Sequence, residues 1–263
     1  MSEQLGIINI YYSLGLISFC TLISLLLGLS LEKKILMATF RACLQLSLLG
    51  YVLKWLFEQE KPWVFVLVFF FMAFIASHTA MRRVSRRHKG LFWVTYFSIF
   101  SSAIITIPYT LFFSIPQSPW FDLKSSIPLV GMILGNSLTG ISLTLGNFTD
   151  QLVLKKDQIE ENLSMGATSF EACRSFIVES IQTGMTPILN SMMVVGLVSI
   201  PGMMTGQLLA GNSPSQASIY QIVILLIICT TSYLSTLLAS LMTYWRFLRG
   251  YHRFKGELLE DII

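Results

Sequence analysis

The stretch Trp63–Ala80 reads WVFVLVFFFMAFIASHTA, and the residues directly after it, Met81–Gly90, read MRRVSRRHKG. The first stretch contains no Asp, Glu, Lys or Arg. As a helix it is long enough to cross the roughly 30 Å hydrocarbon core of a bilayer. The second stretch carries a cluster of basic residues. An apolar helix followed by a basic loop is typical of a membrane-spanning segment that ends at the cytoplasmic face.

The composition of the whole chain agrees with this interpretation. Of its 263 residues, 54% are hydrophobic and only 12% are charged, and the mean hydropathy is +0.67. Soluble domains carry about 25% charged residues. The apolar runs last about 20 residues, as membrane-spanning helices require. We therefore predict an all-α, polytopic membrane protein with a single membrane domain over residues 1–263.

About seven segments have the length and hydrophobicity of a membrane span. They lie, within a few residues, at Ile8–Leu31, Ile35–Phe57, Trp63–Ala80, Leu91–Phe113, Ile127–Phe148, Gly184–Ala210 and Ser215–Arg246. The sixth is interrupted at Pro201-Gly202. The seventh would be about 48 Å long at 1.5 Å per residue, so we expect it to project into the cytoplasm.

Basic residues predict the orientation of these spans. If the loop Met81–Gly90 is cytoplasmic, 15 of the 18 Lys and Arg residues fall on the cytoplasmic side. This bias follows the positive-inside rule, so we predict an N-terminus outside and a C-terminus in the cytoplasm. The net charge of +4 then reflects topology and does not indicate nucleic-acid binding. A lipid-binding role for the basic loop is an open alternative.

A charged segment at residues 151–180 separates the fifth and sixth spans and falls in the cytoplasm. Its apolar residues recur at three- and four-residue spacing, which predicts two amphipathic helices. Gly166 can end the first of them, and Thr168-Ser169-Phe170-Glu171 matches the capping box that begins a second. A helix resting on lipid is the alternative. The acidic residues Glu160 and Glu161 suit a protein partner better.

Among the strongly polar residues within the predicted spans, four stand out: Arg41, Gln45, Asn136 and Asn190. A polar side chain inside a bilayer is costly and so indicates a role. Arg41 and Gln45 share a face of the second span, although Arg41 is near its cytoplasmic end and can extend to water. Asn136 and Asn190 lie deeper, and we predict that they turn into the bundle. A transport pathway and interhelical hydrogen bonding are both open interpretations.

Two backbone features also stand out. Pro201 and Gly202 break the sixth span, and a broken helix is tolerated where it faces protein or a water-filled cavity. The pair is therefore a candidate gate or hinge, with a simple kink as the alternative. Gly131 and Gly135 are spaced for close helix packing, either within the bundle or at a dimer seam.

The sequence contains no recognisable catalytic constellation. It has no GxxxxGK[ST] phosphate-binding loop and no HExxH metal motif, so an intramembrane enzyme is weakly supported. The cysteines Cys20, Cys43, Cys173 and Cys229 are scattered and fit buried, reduced thiols. The methionines of the sixth span could bind a soft metal but are also ordinary packing residues. A metal site cannot be assigned.

Several runs resemble the FetB-like (UPF0014) family of bacterial permeases, which are associated with iron export and related to plant half-transporters for aluminium tolerance. These runs are Gly50–Lys54, Gly131–Asn136, Leu163–Thr168 and Val195–Gly206. The cytoplasmic segment also resembles the Glu-Ala-Ala…Gly loop of ABC transporter permeases, with Glu160 and Gly166 at the matching separation. Glu161 and Asn162 replace the two alanines, and Ile177–Ser180 replaces the usual Leu-Pro.

The resemblance implies an ABC transporter permease in the plasma membrane, the inner membrane of a bacterium. It implies a homodimer driven by a separate ATPase subunit, which would bind ATP and Mg²⁺, with no cofactor in this chain. The implied ATPase-coupling residues are Glu160, Glu161, Leu163, Gly166 and Thr168. The implied cargo is iron or another metal, free or complexed. An organic cargo such as a nucleotide sugar, or a scaffold or sensor role, is the alternative.

Overall fold

The computed structural model describes residues 7–58, 61–114, 122–248 and 259–260. The chain divides into two compact units, Met1–Glu60 and Lys61–Ile263. Within the described residues the protein is almost entirely helical, with nine α-helices, one π-helical turn and two short strands. The all-α prediction agrees with this structure.

The first unit is a helical hairpin made of α1 (Ile7–Leu26) and α2 (Glu32–Phe57). The turn between them is held by Ser24, whose hydroxyl accepts from the Leu31 N–H (3.2 Å) and donates to the Glu32 carboxylate (3.3 Å). The other faces of both helices are largely exposed and apolar. Such faces are expected of helices that contact lipid.

The second unit holds the remaining described helices. They are α3 (Pro62–Arg83), α4 (Leu91–Tyr109), α5 (Leu123–Leu154), α6 (Lys156–Ser164), α7 (Ser169–Val194), α8 (Gly202–Leu209) and α9 (Pro214–Leu248). The π-helical turn Thr110–Ser114 continues α4, and strands β1 (Arg87–His88) and β2 (Leu259–Glu260) pair antiparallel. α5 packs against α3, α7 and α9, and α4 packs against α3 and α9.

Local chemistry explains several helix ends. Pro62 is the first residue of α3, a position where the missing N–H costs nothing. Gly90, with φ of 85°, precedes α4. The Asp122 carboxylate caps α5 by accepting from the backbone N–H groups of Lys124 (3.4 Å) and Ser125 (3.3 Å), which satisfies donors left free at a helix N-terminus.

The core of the second unit combines aliphatic side chains with many small hydroxyls. Fully buried hydroxyl residues include Thr95, Ser98, Ser102, Thr110, Ser137, Thr144, Thr149, Thr231, Ser235, Thr236, Ser240 and Thr243. Many of them donate to the carbonyl one turn earlier, as Thr110 does to Thr106 at 2.6 Å. Small side chains of this kind let membrane helices approach closely.

Five helices in the described part of the chain are long and apolar enough to cross a membrane: α2, α3, α4 with its π-helical turn, α5 and α9. They correspond to predicted spans two, three, four, five and seven. The apolar stretch Ile10–Leu26 within α1 is shorter. α7 is long, but Glu171, Arg174 and Glu179 lie in its first half. The 35 residues of α9 agree with the long seventh span that was predicted.

The sixth predicted span differs from the structure at both its start and its break. It was predicted to begin near Gly184, yet α7 is continuous from Ser169, so the second helix of the predicted cytoplasmic pair is the first part of the sixth span. The break begins at Val195 and precedes Pro201. Gly196 takes a left-handed φ of 81°, and its N–H donates to the Ser199 carbonyl (2.9 Å), which closes a turn.

Candidate coupling site and membrane interior

α6 is a short amphipathic helix at the end of α5. Its Ile159 is fully buried, whereas Glu160 and Glu161 are exposed. Lys156 Nζ lies 3.6 Å from the Glu160 carboxylate, one turn away, and both side chains are about half exposed. An exposed pair of this kind contributes only about 0.3–0.5 kcal/mol. Because Glu160 and Glu161 are both exposed, the outer face of α6 is largely acidic, as predicted.

The turn after α6 is a Schellman motif centred on Gly166. Gly166 has φ of 92°, a conformation that only glycine adopts without strain. The Gly166 N–H donates to the Leu163 carbonyl and the Ala167 N–H to the Asn162 carbonyl, both at 3.1 Å. These two bonds satisfy carbonyls left free at a helix C-terminus. The predicted role of Gly166 in ending this helix is confirmed.

The predicted capping box at the start of α7 is also confirmed. The Glu171 N–H donates to Thr168 Oγ1 (3.3 Å), and the Thr168 N–H donates to the Glu171 carboxylate (2.8 Å). The Thr168 hydroxyl donates to the same carboxylate at 2.6 Å. Hydrogen bonds from the Thr168 side chain and backbone lower the pKa of Glu171 because they favour its charged form.

A buried cluster joins α6 to the ends of three long helices. This helix-end cluster consists of Phe148 and Leu152 of α5, Ile159 of α6, Ala172, Cys173, Phe176 and Ile177 of α7, and Phe247 of α9. Lys155 Nζ lies over the Phe176 ring, 5.1 Å from its centroid. Because the cluster is closely packed, a force on α6 is transmitted directly to α5, α7 and α9.

Two exposed apolar side chains flank the acidic face, and neither was among the predicted coupling residues. Met165 is 72% exposed and Phe170 is 44% exposed, with the Phe170 ring against Tyr244 at 5.7 Å. Exposed Met and Phe beside a turn indicate a contact surface. Leu163, which was predicted to take part in coupling, is half-buried and packs on the helix-end cluster. The Leu163 side chain therefore packs between α6 and the helix-end cluster.

Polar contacts connect the same ends of the bundle. Arg86 Nε, in the basic loop, lies 3.0 Å from the Asp150 carboxylate of α5. Between α5 and α7, the Asn147 side-chain oxygen accepts from Gln151 (2.6 Å) and from Ser180 (2.9 Å). The sequence analysis did not single out these residues, because the Arg86–Asp150 and Asn147–Ser180 pairings join positions far apart in the chain.

The predicted pathway residues occupy exposed positions. Arg41 and Gln45 lie on α2 in the first unit, and Asn136 and Asn190 lie on α5 and α7 in the second. The Asn136 amide donates to the Met132 carbonyl of its own helix (2.8 Å). The prediction that Asn136 and Asn190 turn into the bundle is wrong for this chain, because both side chains lie on exposed faces of α5 and α7.

The candidate hinge residues lie where the polypeptide re-enters a helix. Pro201 is the residue before α8, and Gly202 is its first residue. The preceding turn exposes large apolar side chains, including Leu197 and Val198, which are 88% and 83% exposed. Pro201 is extended and is the N-cap of α8, so a new helix begins here rather than a kink within one helix.

The closest approach between helices involves glycines other than the predicted GxxxG pair. Gly131 packs near Met72 of α3, while Gly135 faces open space. Gly184 of α7 instead lies against Gly140 of α5, with Thr144 beside them and Thr236 of α9 packed on Gly140. Gly131 thus belongs to packing within the bundle, and the glycine contact at Gly140 lies about two and a half turns farther along α5.

No metal centre is formed by the described residues, since no group of three or more His, Cys, Asp or Glu side chains comes together there. Their four cysteines are free thiols, of which Cys173 is fully buried. Burial raises the pKa of the Cys173 thiol to about 12, so it remains protonated at neutral pH.

Long apolar helices with a compact helix–turn–helix at one end of the bundle define a multi-pass membrane protein. Residues 7–248 match the family described as "Uncharacterised protein family (UPF0014)", and the chain belongs to this family. The resemblance inferred from its motifs is therefore confirmed.

Curated relatives cover almost the whole chain. UPF0014 membrane protein slr1647 of Synechocystis is 37% identical over 236 residues, 90% of this chain and 91% of that protein. The probable iron export permease protein FetB of Escherichia coli is 35% identical over 241 residues, 92% of each chain. Protein ALUMINUM SENSITIVE 3 of Arabidopsis thaliana is 30% identical over 221 residues, 84% of this chain and 79% of that protein. No solved structure matches.

Proposed function

We infer that this chain is the permease subunit of an ABC transporter, acting as a homodimer with a separate ATPase subunit in the plasma membrane. The E. coli relative is named a probable iron export permease, which favours export of iron or another metal, free or complexed. In this scheme ATP and Mg²⁺ are bound by the ATPase subunit. This chain supplies the route through the membrane and the surface on which the ATPase docks.

The observation that carries the proposal is the attachment of α6 to the bundle. α6 presents Glu160 and Glu161 outward and is fixed through Ile159 to the helix-end cluster. A partner that moves α6 would therefore move the ends of α5, α7 and α9 with it, since packed interiors transmit displacement rather than absorb it. At its other end α7 leads to the break that precedes Pro201 and Gly202, where the displacement can alter access.

Charge reversal on α6 tests the proposal. Glu160→Lys combined with Glu161→Lys should weaken capture of the co-expressed ATPase subunit and abolish ATP-dependent transport, while the membrane protein still elutes as a folded species. Glu58→Lys, at an exposed position after α2, is the matched control and should bind the ATPase normally. Full ATPase capture and transport by the double variant would rule out docking through α6.

The cargo is tested in vesicles that contain this chain and its ATPase. Uptake of labelled iron into inverted vesicles should require ATP and be lost in the Glu160→Lys, Glu161→Lys variant. Uptake of a labelled nucleotide sugar instead would assign an organic cargo. Normal ATPase capture without transport of any solute would favour a scaffold or sensor.

A further inference from the structure

A cavity of about 320 Å³ lies between the C-terminal end of α4, the π-helical turn and the first half of α9. Five side chains with hydroxyl groups line it: Thr106, Tyr109, Thr110, Ser114 and Thr230. Aliphatic side chains of α9 complete the wall: Val223, Leu226 and Ile227. None of these described lining residues carries a charge. A volume of this size is within the range of small-molecule sites in proteins.

The local backbone explains why the bundle opens here. Pro108 lies near the end of α4 and has no N–H to donate to the preceding turn. The chain then continues as the π-helical turn Thr110–Ser114. Turns of this type are wider than an α-helical turn and occur frequently at functional sites. Thr110 and Ser114, at the two ends of the turn, both line the cavity.

The base of the cavity continues into a polar seam between α4 and α9. The hydroxyls of Thr106 and Thr231 lie 2.9 Å apart, within hydrogen-bond distance, and Thr231 is fully buried. Ser102 and Ser98 follow on α4 at one-turn intervals, and both are fully buried. The cavity is therefore the widened end of a row of hydroxyls that extends along the α4–α9 contact.

We propose that this cavity binds an uncharged, hydrogen-bonding solute at the mouth of the transport route, an inference that rests on the proposed transport function. The hydroxyls of Thr106, Thr110 and Thr230 donate to carbonyls of their own helices, and their oxygens keep lone pairs that can accept from such a solute. The aliphatic wall packs against its C–H surface. A charged solute would lose hydration without gaining a counter-charge. A metal cargo would accordingly pass this point as a neutral complex.

Thiol labelling tests whether water reaches the cavity. In a variant with all four native cysteines changed to Ala, the Thr230→Cys thiol should react with a membrane-impermeant maleimide added to intact cells. Ile224→Cys, buried in the same half of α9, is the control and should react slower by about tenfold or more because it needs local opening. Ser114→Cys provides a second probe if Thr230→Cys does not fold. Reaction of both cavity thiols only with a lipid-soluble maleimide would overturn the proposal.

The class of ligand is tested by protection in the same assay. Glucose, glucosamine and gluconate are similar in size and differ in charge. Glucose at high concentration should slow labelling of the Thr230→Cys thiol, whereas its cationic and anionic analogues should not. Absence of protection by glucose, or equal protection by all three, would refute an uncharged-solute site. ATPase capture through α6 does not involve this cavity. Failure of this chain to capture the ATPase would therefore count against the proposed transport function, whereas the labelling and protection results would still test the cavity on their own.

Discussion

Gly184 of α7 lies so close to Gly140 of α5 that a Cβ atom on Gly184 would stand 2.7 Å from the Gly140 carbonyl oxygen. Thr144 of α5 would be closer still. The two helices can therefore pack at this separation only if Gly184 has no side chain. The seam lies between the helix-end cluster and the break after α7, so it holds together the helices through which displacement of α6 would travel.

Substitution of Gly184 should destabilise the bundle. Gly184→Ala introduces a methyl group against backbone and should cost about 1–3 kcal/mol, as overpacking of a closed core does. The melting temperature in detergent should fall. Gly135→Ala, where a methyl group meets open space, is the control and should be neutral or slightly stabilising. Equal melting temperatures for Gly184→Ala and Gly135→Ala would contradict this prediction, because they would show that α5 and α7 move apart at little cost to accept the added methyl group.

Removal of the Ile159 side chain should free α6 from the cluster. Ile159→Ala leaves a cavity among fully buried residues and should cost about 2–5 kcal/mol of local stability. Hydrogen exchange of the α6 amides should accelerate, and under the proposed function ATP hydrolysis by the partner should become uncoupled from transport. Met165→Ala removes an exposed side chain from the adjacent turn and should leave α6 exchange unchanged. Unaltered exchange in Ile159→Ala would contradict anchoring of α6 by this residue.

The capping box predicts a pH dependence at the start of α7. Because the folded-state pKa of Glu171 is lowered by Thr168, its contribution to stability is present above the ordinary carboxyl pKa and is lost as pH falls through the lowered value. Thr168→Ala should cost about 0.5–2 kcal/mol of helix stability and return the Glu171 pKa toward its ordinary value. Carboxyl-carbon NMR titration of Glu171 measures its pKa in the wild-type and Thr168→Ala proteins. An unchanged pKa in Thr168→Ala would exclude the Thr168 side-chain hydrogen bond as the cause of the lowered value.

The Cys173 thiol should be inert in the folded protein. Burial removes it from reagents and raises its pKa to about 12, so the reactive thiolate is scarce at neutral pH. A maleimide should label it only after denaturation, as mass spectrometry can establish. Met165→Cys, exposed in the neighbouring turn, should be labelled at once under the same conditions. Rapid labelling of Cys173 in the folded chain would mean that the helix-end cluster opens readily.

The ion pair between Arg86 and Asp150 should matter little for stability. Both side chains are more than a third exposed, so Asp150→Asn should cost at most about 1 kcal/mol. Chemical denaturation of the purified protein measures this. A double variant that exchanges the two residues, Arg86→Asp with Asp150→Arg, should recover the loss if direct pairing is its source.

Features with a local cause were predictable from the chain alone. The apolar spans follow from hydrophobicity and length, and the turn at Gly166 and the capping box at Thr168 follow from short-range backbone chemistry. The continuity of α7 was missed because a helix that begins beneath the membrane and then enters it shows two different sequence patterns. The break near Pro201 was placed too late because the chain already leaves the helix at the extended Val195 and then turns at the left-handed Gly196.

Sequence by itself determined the class of protein: helices of membrane length, the capped turn between α6 and α7, and membership of the UPF0014 family through its motifs. Only the tertiary structure decided which residues meet. Asn136 and Asn190 are exposed, while Gly140 meets Gly184 and hydroxyls line the α4–α9 cavity. The physical reason is that the direction of a side chain on an apolar helix depends on its neighbours. In a chain with apolar residues on every face, the periodic pattern that marks a buried face is absent.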